Sequence, residues 1–326
     1  MELIAQREIG EGGRDVVVWD PSTVVVTVPT PFTELVGCDL PIQLAGMGGV
    51  STPSLCAAVS AAGGLGMLGG SGTGEVASDM SAVAAATDRP FGVNFLMPFL
   101  DVGAVEVAAA RCRVVELFYG PPDAALVSRV RAVANGALVS WQVGSTDEAR
   151  AALDCGVDLV VAQGVEAGGH VRGTTPLRAL LDDVVAVVDG AVPVVAAGGL
   201  STAADVAAVI AAGASAARVG TRFLVCEEAD VHPDYAAALL AATGDDTVLT
   251  TTFDAFWPDA PHRVLRSSVD AALAPGAPAM RSPLPPTRAA AGPVGHMALY
   301  AGTGVGRVTR TETAAEVVRD LTRDLR

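Results

Sequence analysis

His170 closes the run Gln163-Gly164-Val165-Glu166-Ala167-Gly168-Gly169-His170. Histidine changes charge near neutral pH, so it can take or give a proton at a reacting carbon. The glycines before it leave its ring free to turn. Two other short runs, Gly198-Gly199 and Gly220-Thr221, offer bare backbone N–H groups and a hydroxyl. Glycine lets the chain approach an oxyanion closely, and a helix N-terminus beside such a turn favours a phosphate. Asn94, Gln142 and Gln163 stand at the ends of other apolar runs, and the turn Gly46-Met47-Gly48-Gly49 follows one more. Glu166 reads as a solvated loop carboxylate and Arg172 as half of a rim ion pair. His232 and His262 read as structural. His296 begins the loop leading to Gly302-Thr303-Gly304-Val305-Gly306 and stays a candidate.

Composition removes several chemistries. The 326 residues contain no lysine, and all 21 basic residues are arginine. Schiff-base and pyridoxal phosphate chemistry need a lysine amine, and so does a standard Walker A loop. The formal net charge is -15 and no basic stretch occurs. Nucleic acid and anionic membrane surfaces are therefore poor partners. Cys38, Cys56, Cys112, Cys155 and Cys226 are scattered, without C-x-x-C or zinc spacing. They read as reduced, mostly buried thiols of a cytoplasmic protein. The histidines and carboxylates lack metal-ligand spacing, and no G-x-S-x-G elbow occurs. Residues 1–15 carry Glu2, Glu8, Glu11 and Asp15 and no apolar core of a secretory signal. Residues 40–74 are uncharged but broken by Gly, Ser, Thr and Pro, which argues against a membrane span.

These residues need a frame that brings their loops together. Short apolar runs start at Ile42, Leu65, Phe91, Val114, Leu138, Asp158, Pro193 and Ala216. Helical stretches separate them, among them 54–62, 146–153, 177–189 and 202–212. Thr52 and Pro53 mark the start of the first, and Gly156 follows the second. Strands apolar on both faces and interleaved with helices form a parallel sheet covered on both sides. Eight such units predict a closed (β/α)8 TIM barrel, with its site at the C-terminal strand ends. There the glycine, Asn, Gln, His and Thr residues above converge. Residues 36–244 form the barrel in this reading. Residues 1–35 are an N-terminal extension in which 15–18 and 23–28 suggest a small hairpin. Residues 245–295, rich in Pro, Ala, Arg and Asp, read as an irregular excursion over the barrel mouth that shapes substrate access. Residues 296–326 return to the barrel as a glycine loop and an amphipathic helix from Glu312 onward.

Together these segments resemble the flavin-dependent nitronate monooxygenase family, formerly the 2-nitropropane dioxygenases. The resemblance rests on PIQLAGMGGVSTPSLCAAVSAAGGLGMLGG from Pro41, FGVNF from Phe91, VVAQGVEAGGH from Val160, PVVAAGGLSTAADVAAVIAAGASAARVGTRFL from Pro193 and MALYAGTGVG from Met297. FDAFWPDAPHRVLR from Phe253 is similar to the actinobacterial members. The resemblance implies FMN in the barrel. Gly198, Gly199, Gly220 and Thr221 would hold its phosphate. Gln163, Gly168 and Gly169 would contact the flavin or its ribityl chain. Ala45, Gly46 and Met47 would run along the ring, with Asn94 and Gln142 near it and Gly302 and Gly304 close by. His170 matches the family's catalytic histidine. The implied reaction is oxidation of an alkyl nitronate, or of a nitroalkane, by oxygen to a carbonyl compound and nitrite. The implied partners are that small molecule and oxygen, and a homodimer is compatible with it. The same barrel and Gly-Gly-His loop occur in relatives that reduce enoyl thioesters or quinones with NAD(P)H, which is the alternative reading. A flavin-holding partner without turnover is a third.

Overall fold

Val-, Ala- and Leu-rich runs with no alternating polar face can be buried only if both faces are covered. The computed structural model covers them in that way. It describes residues 6–9, 15–18, 27–133 and 136–325. Eight parallel strands make one sheet: β1 (Ile42–Leu44), β2 (Gly66–Gly69), β3 (Phe91–Leu96), β4 (Val114–Phe118), β5 (Leu138–Val143), β6 (Leu159–Gln163), β7 (Val194–Ala197) and β8 (Ala216–Val219). Each pairs with its neighbour in sequence from β2 to β8, and β8 pairs with β1. The ring closes between β1 and β2 through a single parallel bridge, Gln43 to Leu65. There the Leu44 N–H donates to Leu65 O at 2.9 Å and the Leu65 N–H donates to Ile42 O at 2.8 Å. This is the predicted TIM barrel, with strand starts displaced by at most a residue.

Local sequence sets the helix starts. Thr52 accepts from the Leu55 N–H at 3.1 Å, and Pro53 takes the first helical position. Thr202 and Asp205 form a capping box on Ala203–Ala211, and Thr313 and Glu316 form one on Ala314–Leu321. Trp141, Phe95, Phe223, Leu44 and Met67 are fully buried in the core.

At the N-terminus Asp15–Val18 pairs antiparallel with Gln6–Ile9. Of the expected strand at 23–28, residues 23–26 lie outside the described residues, and Thr27 and Val28 have no regular structure. Residues 245–295 are more ordered than their composition suggests. Thr247–Thr250 and His262–Leu265 pair antiparallel, and the helix Arg266–Leu273 follows. The third strand of that sheet is Gly169–His170, with His262 opposite His170. The sheet therefore ties the excursion to the histidine loop. Among the described residues no helix is long and apolar enough to cross a membrane.

Candidate active site

The strand ends open into a cavity of about 460 Å³. Most sequence-predicted residues border it. Ala45, Gly46 and Met47 follow β1, Asn94 comes from β3, Gln142 from β5 and Gln163 from β6. Gly168, Gly169 and His170 form one side, Gly198 and Gly199 follow β7, and Gly220 and Thr221 follow β8. Gly304 also lines the cavity. Gly302 stands behind the wall, where its N–H donates to Thr221 Oγ1 at 2.9 Å. A Cβ on Gly302 would lie 2.9 Å from Glu166 O, so it fits the loops together and does not face the cavity.

The β7 loop is built for close approach. Gly198 and Gly199 have φ of 136° and 68°, in the region that favours glycine. A Cβ on Gly199 would lie 2.7 Å from Thr303 Oγ1, and one on Gly304 would lie 2.3 Å from both Gly199 O and Ser201 Oγ. Ser201 borders the same space, and its buried hydroxyl has no hydrogen-bond partner among the described residues. Glycine walls, an orphaned hydroxyl and the Thr221 side chain fit a phosphate. The nearby cations are already matched. Arg222 pairs with Glu312 at 2.9 Å and Asp320 at 2.7 Å, and Arg307 pairs with Asp205 at 3.0 Å.

Elsewhere on the cavity wall His170 sits among aromatic rings. Trp257 stacks on its ring at 3.9 Å between centroids and 20° between planes. Tyr119 meets it edge-on at 5.9 Å, and Tyr300 lies 5.8 Å away. His170 Nε2 is buried without a hydrogen-bond partner among the described residues. Burial, and then the neighbouring His262, push the His170 pKa down from 6.5 to about 3. The imidazole is thus neutral, and a neutral imidazole carries one unprotonated nitrogen. His262 is neutral for its own reasons. The Phe253 N–H donates to His262 Nε2 at 3.2 Å, so Nδ1 bears the proton and donates to Ala260 O at 2.9 Å. Burial also lowers its pKa.

Gln163 holds the histidine loop in place. Its Nε2 donates to His170 O at 2.9 Å, and its Oε1 accepts from the Arg172 N–H at 3.1 Å. The Arg172 guanidinium pairs with Glu148 at 2.7 Å, the rim ion pair expected from sequence. Glu166 departs from its expected role. Its carboxylate accepts from the Leu177 N–H at 2.9 and 3.1 Å, capping the helix Leu177–Val188. The physical reason is that Pro176 at the cap position offers no side-chain acceptor. His232 caps the helix Pro233–Ala241, and His296 lies in a short 3-10 turn with its Nδ1 unpartnered.

Three site features escaped the sequence reading. Trp257 lay in the FDAFWPDAPHRVLR segment but was given no role, and Tyr119 carried no local pattern, although Tyr119 adopts φ of 66°, which is unusual for a non-glycine. Arg218 on β8 lines the cavity and is ion-paired with buried Glu116 on β4. Their signal was present: each is a lone charge inside an apolar strand, in Ala-Ala-Arg-Val and Val-Val-Glu-Leu-Phe.

A concave site across the strand ends of a closed parallel barrel marks the chain as a barrel enzyme. The chain belongs to the nitronate monooxygenase family, whose profile matches residues 30–113 and 101–324. It is thus an oxidoreductase of a flavin-dependent family. A nitronate monooxygenase of Pseudomonas aeruginosa is 33% identical, over 90% of this chain and 99% of its own length. A (3aS,4S,5R,7aS)-5-hydroxy-7a-methyl-1-oxo-octahydro-1H-indene-4-carboxyl-CoA dehydrogenase of Mycobacterium tuberculosis is 36% identical, over 74% of this chain and 67% of its own. Among solved structures, nitroalkane oxidase from Streptomyces ansochromogenes superposes with a TM-score of 0.76 at 35% identity, covering 91% of this chain and 98% of that one. FabK from Thermotoga maritima gives 0.78 at 29%, covering 92% and 96%.

Proposed function

We propose that the protein binds FMN and oxidises alkyl nitronates, or the parent nitroalkanes, with oxygen to a carbonyl compound and nitrite. The observation that carries this reading is the neutral His170 with an unpartnered Nε2 on the cavity wall. Gly198, Gly199, Ser201, Gly220 and Thr221 would hold the FMN phosphate, and Ala45, Gly46 and Met47 would border its ring. FMN, when bound, supplies the electron acceptor. The remaining tasks fall to the chain. His170 removes the proton from the carbon bearing a neutral nitro group. Gln163 fixes the loop from which it acts. The stack against Trp257 keeps water from the ring and keeps it unprotonated, although the same burial weakens it as a base.

The test is His170→Ala, with kcat/KM measured for a nitroalkane and for its preformed nitronate. Removing a general base costs about 10²–10⁴-fold. That loss is expected for the neutral nitroalkane, which must still give up its proton. The nitronate has already lost it and suffers only the smaller loss of a contact. Equal losses on both forms mean that His170 is not the base.

A second reading, an FMN-dependent NAD(P)H reductase of an enoyl thioester or quinone, draws on the cavity mouth. Phe99, Phe256 and Leu284 line the cavity and are 53%, 78% and 65% exposed. Such an apolar rim suits a substrate larger than a simple nitroalkane.

A further inference from the structure

Parallel barrels are ordinarily filled by branched apolar side chains. Here one layer beneath the cavity is polar and charged. Arg218 on β8 reaches across the barrel to Glu116 on β4 and forms an ion pair with its Oε2. The Glu116 side chain is 0% exposed and that of Arg218 is 6% exposed. Glu116 also accepts from Asn94 Nδ2 at 2.7 Å and from the Ser140 hydroxyl at 3.2 Å. Arg218 donates from Nη1 to Gln142 Oε1 at 2.5 Å and from Nε to Gln43 Oε1 at 3.3 Å.

A buried ion pair is a poor way to stabilise a core, because desolvation offsets most of its attraction. Its geometry suits another task. A guanidinium has five N–H groups, and these bonds occupy three of them. Arg218, Asn94 and Gln142 border the cavity, while Glu116 lies beneath it. Among the described residues Arg218 is the one cationic side chain lining the cavity. The cavity therefore meets the positive end of the pair, held rigidly at the strand ends.

We infer that Arg218, oriented by Glu116, is the fixed positive charge on which the site stabilises the reduced form of its flavin. The inference rests on the FMN reading above. A flavin that gains two electrons from its substrate and one proton from solvent is left with one negative charge. A preorganised cation near that charge favours the reduced form over the oxidised one. Glu116 partly cancels the cation and so sets the size of the preference.

The experiment measures, on FMN-loaded protein, the two-electron midpoint potential and the FMN dissociation constant. The variants are Glu116→Gln, the double variant Glu116→Gln/Arg218→Gln, and Arg129→Gln as a distant surface control. Thermal unfolding checks the fold of each. Glu116→Gln is expected to favour reduced over oxidised FMN by about tenfold, a rise of ~30 mV for a two-electron couple. The double variant leaves no buried charge unpaired, and its preference is expected to fall below that of wild type. Arg129→Gln leaves the potential unchanged. FMN bound normally, with potentials unmoved in both folded variants, overturns this inference alone. A wild-type protein that takes up no FMN overturns it together with the flavin reading.

Discussion

His170→Gln removes a group that the fold keeps from ionising. Burial beside Trp257 and His262 lowers the His170 pKa from 6.5 to about 3. In the unfolded chain the ring regains its ordinary value of about 6.5. Between these two values the unfolded chain binds more protons than the folded one. Stability contributed by the neutral ring is thus whole above pH 6.5 and is lost as pH falls from 6.5 toward 3. A fall from 6.5 to about 3 corresponds to at most about 5 kcal/mol. By pH 5 about 2 kcal/mol of this is gone. The assay is equilibrium urea unfolding of the flavin-free protein at pH 8 and pH 5, for wild type and His170→Gln. Other groups titrate over the same range, so the difference between the two proteins carries the information. Wild type should lose about 2 kcal/mol more than the variant over that interval. Parallel losses would refute the claim that His170 is buried neutral.

Gly199→Val should purify without FMN, because a branched side chain enters a wall already 2.7 Å from Thr303 Oγ1 and at φ of 68°. Cys112→Ser should keep full flavin content, since that buried thiol donates to Val114 O on the barrel strand, away from the cavity, and a hydroxyl can do the same; absorbance of the purified proteins checks both. Trp257→Ala admits water to the His170 ring, so the His170 pKa should climb back toward 6.5. The pH profile of kcat/KM on a nitroalkane should then gain an ionisation between pH 5 and 7 that wild type lacks.

Much of the frame was legible because the signals were local. Each barrel strand is an apolar run bounded by a helix start or a glycine, and Thr52, Thr202 and Thr313 announce their helices by capping. The loops that follow the strands were then placed together by topology, so the glycines and His170 could be read as one site. What escaped depends on partners far along the chain. The strand His262–Leu265 is defined by pairing with Gly169–His170, and no alternation of its own announces it. Glu166 caps a helix eleven residues on, where Pro176 cannot. Gln163 looked like a ligand contact, yet both ends of its amide brace backbone in the His170 loop. Arg218 and Glu116 are 102 residues apart and meet only because β8 and β4 face each other across the ring.

The most direct test of the account is anaerobic mixing of the FMN-loaded protein with a panel of alkyl nitronates and, separately, with NADH and NADPH, followed by flavin absorbance. Rapid bleaching by at least one nitronate, slow or no bleaching by either nucleotide, and nitrite formation once oxygen is admitted are expected. Rapid bleaching by NADH or NADPH, with no nitronate reducing the flavin, would contradict it and make the protein a reductase.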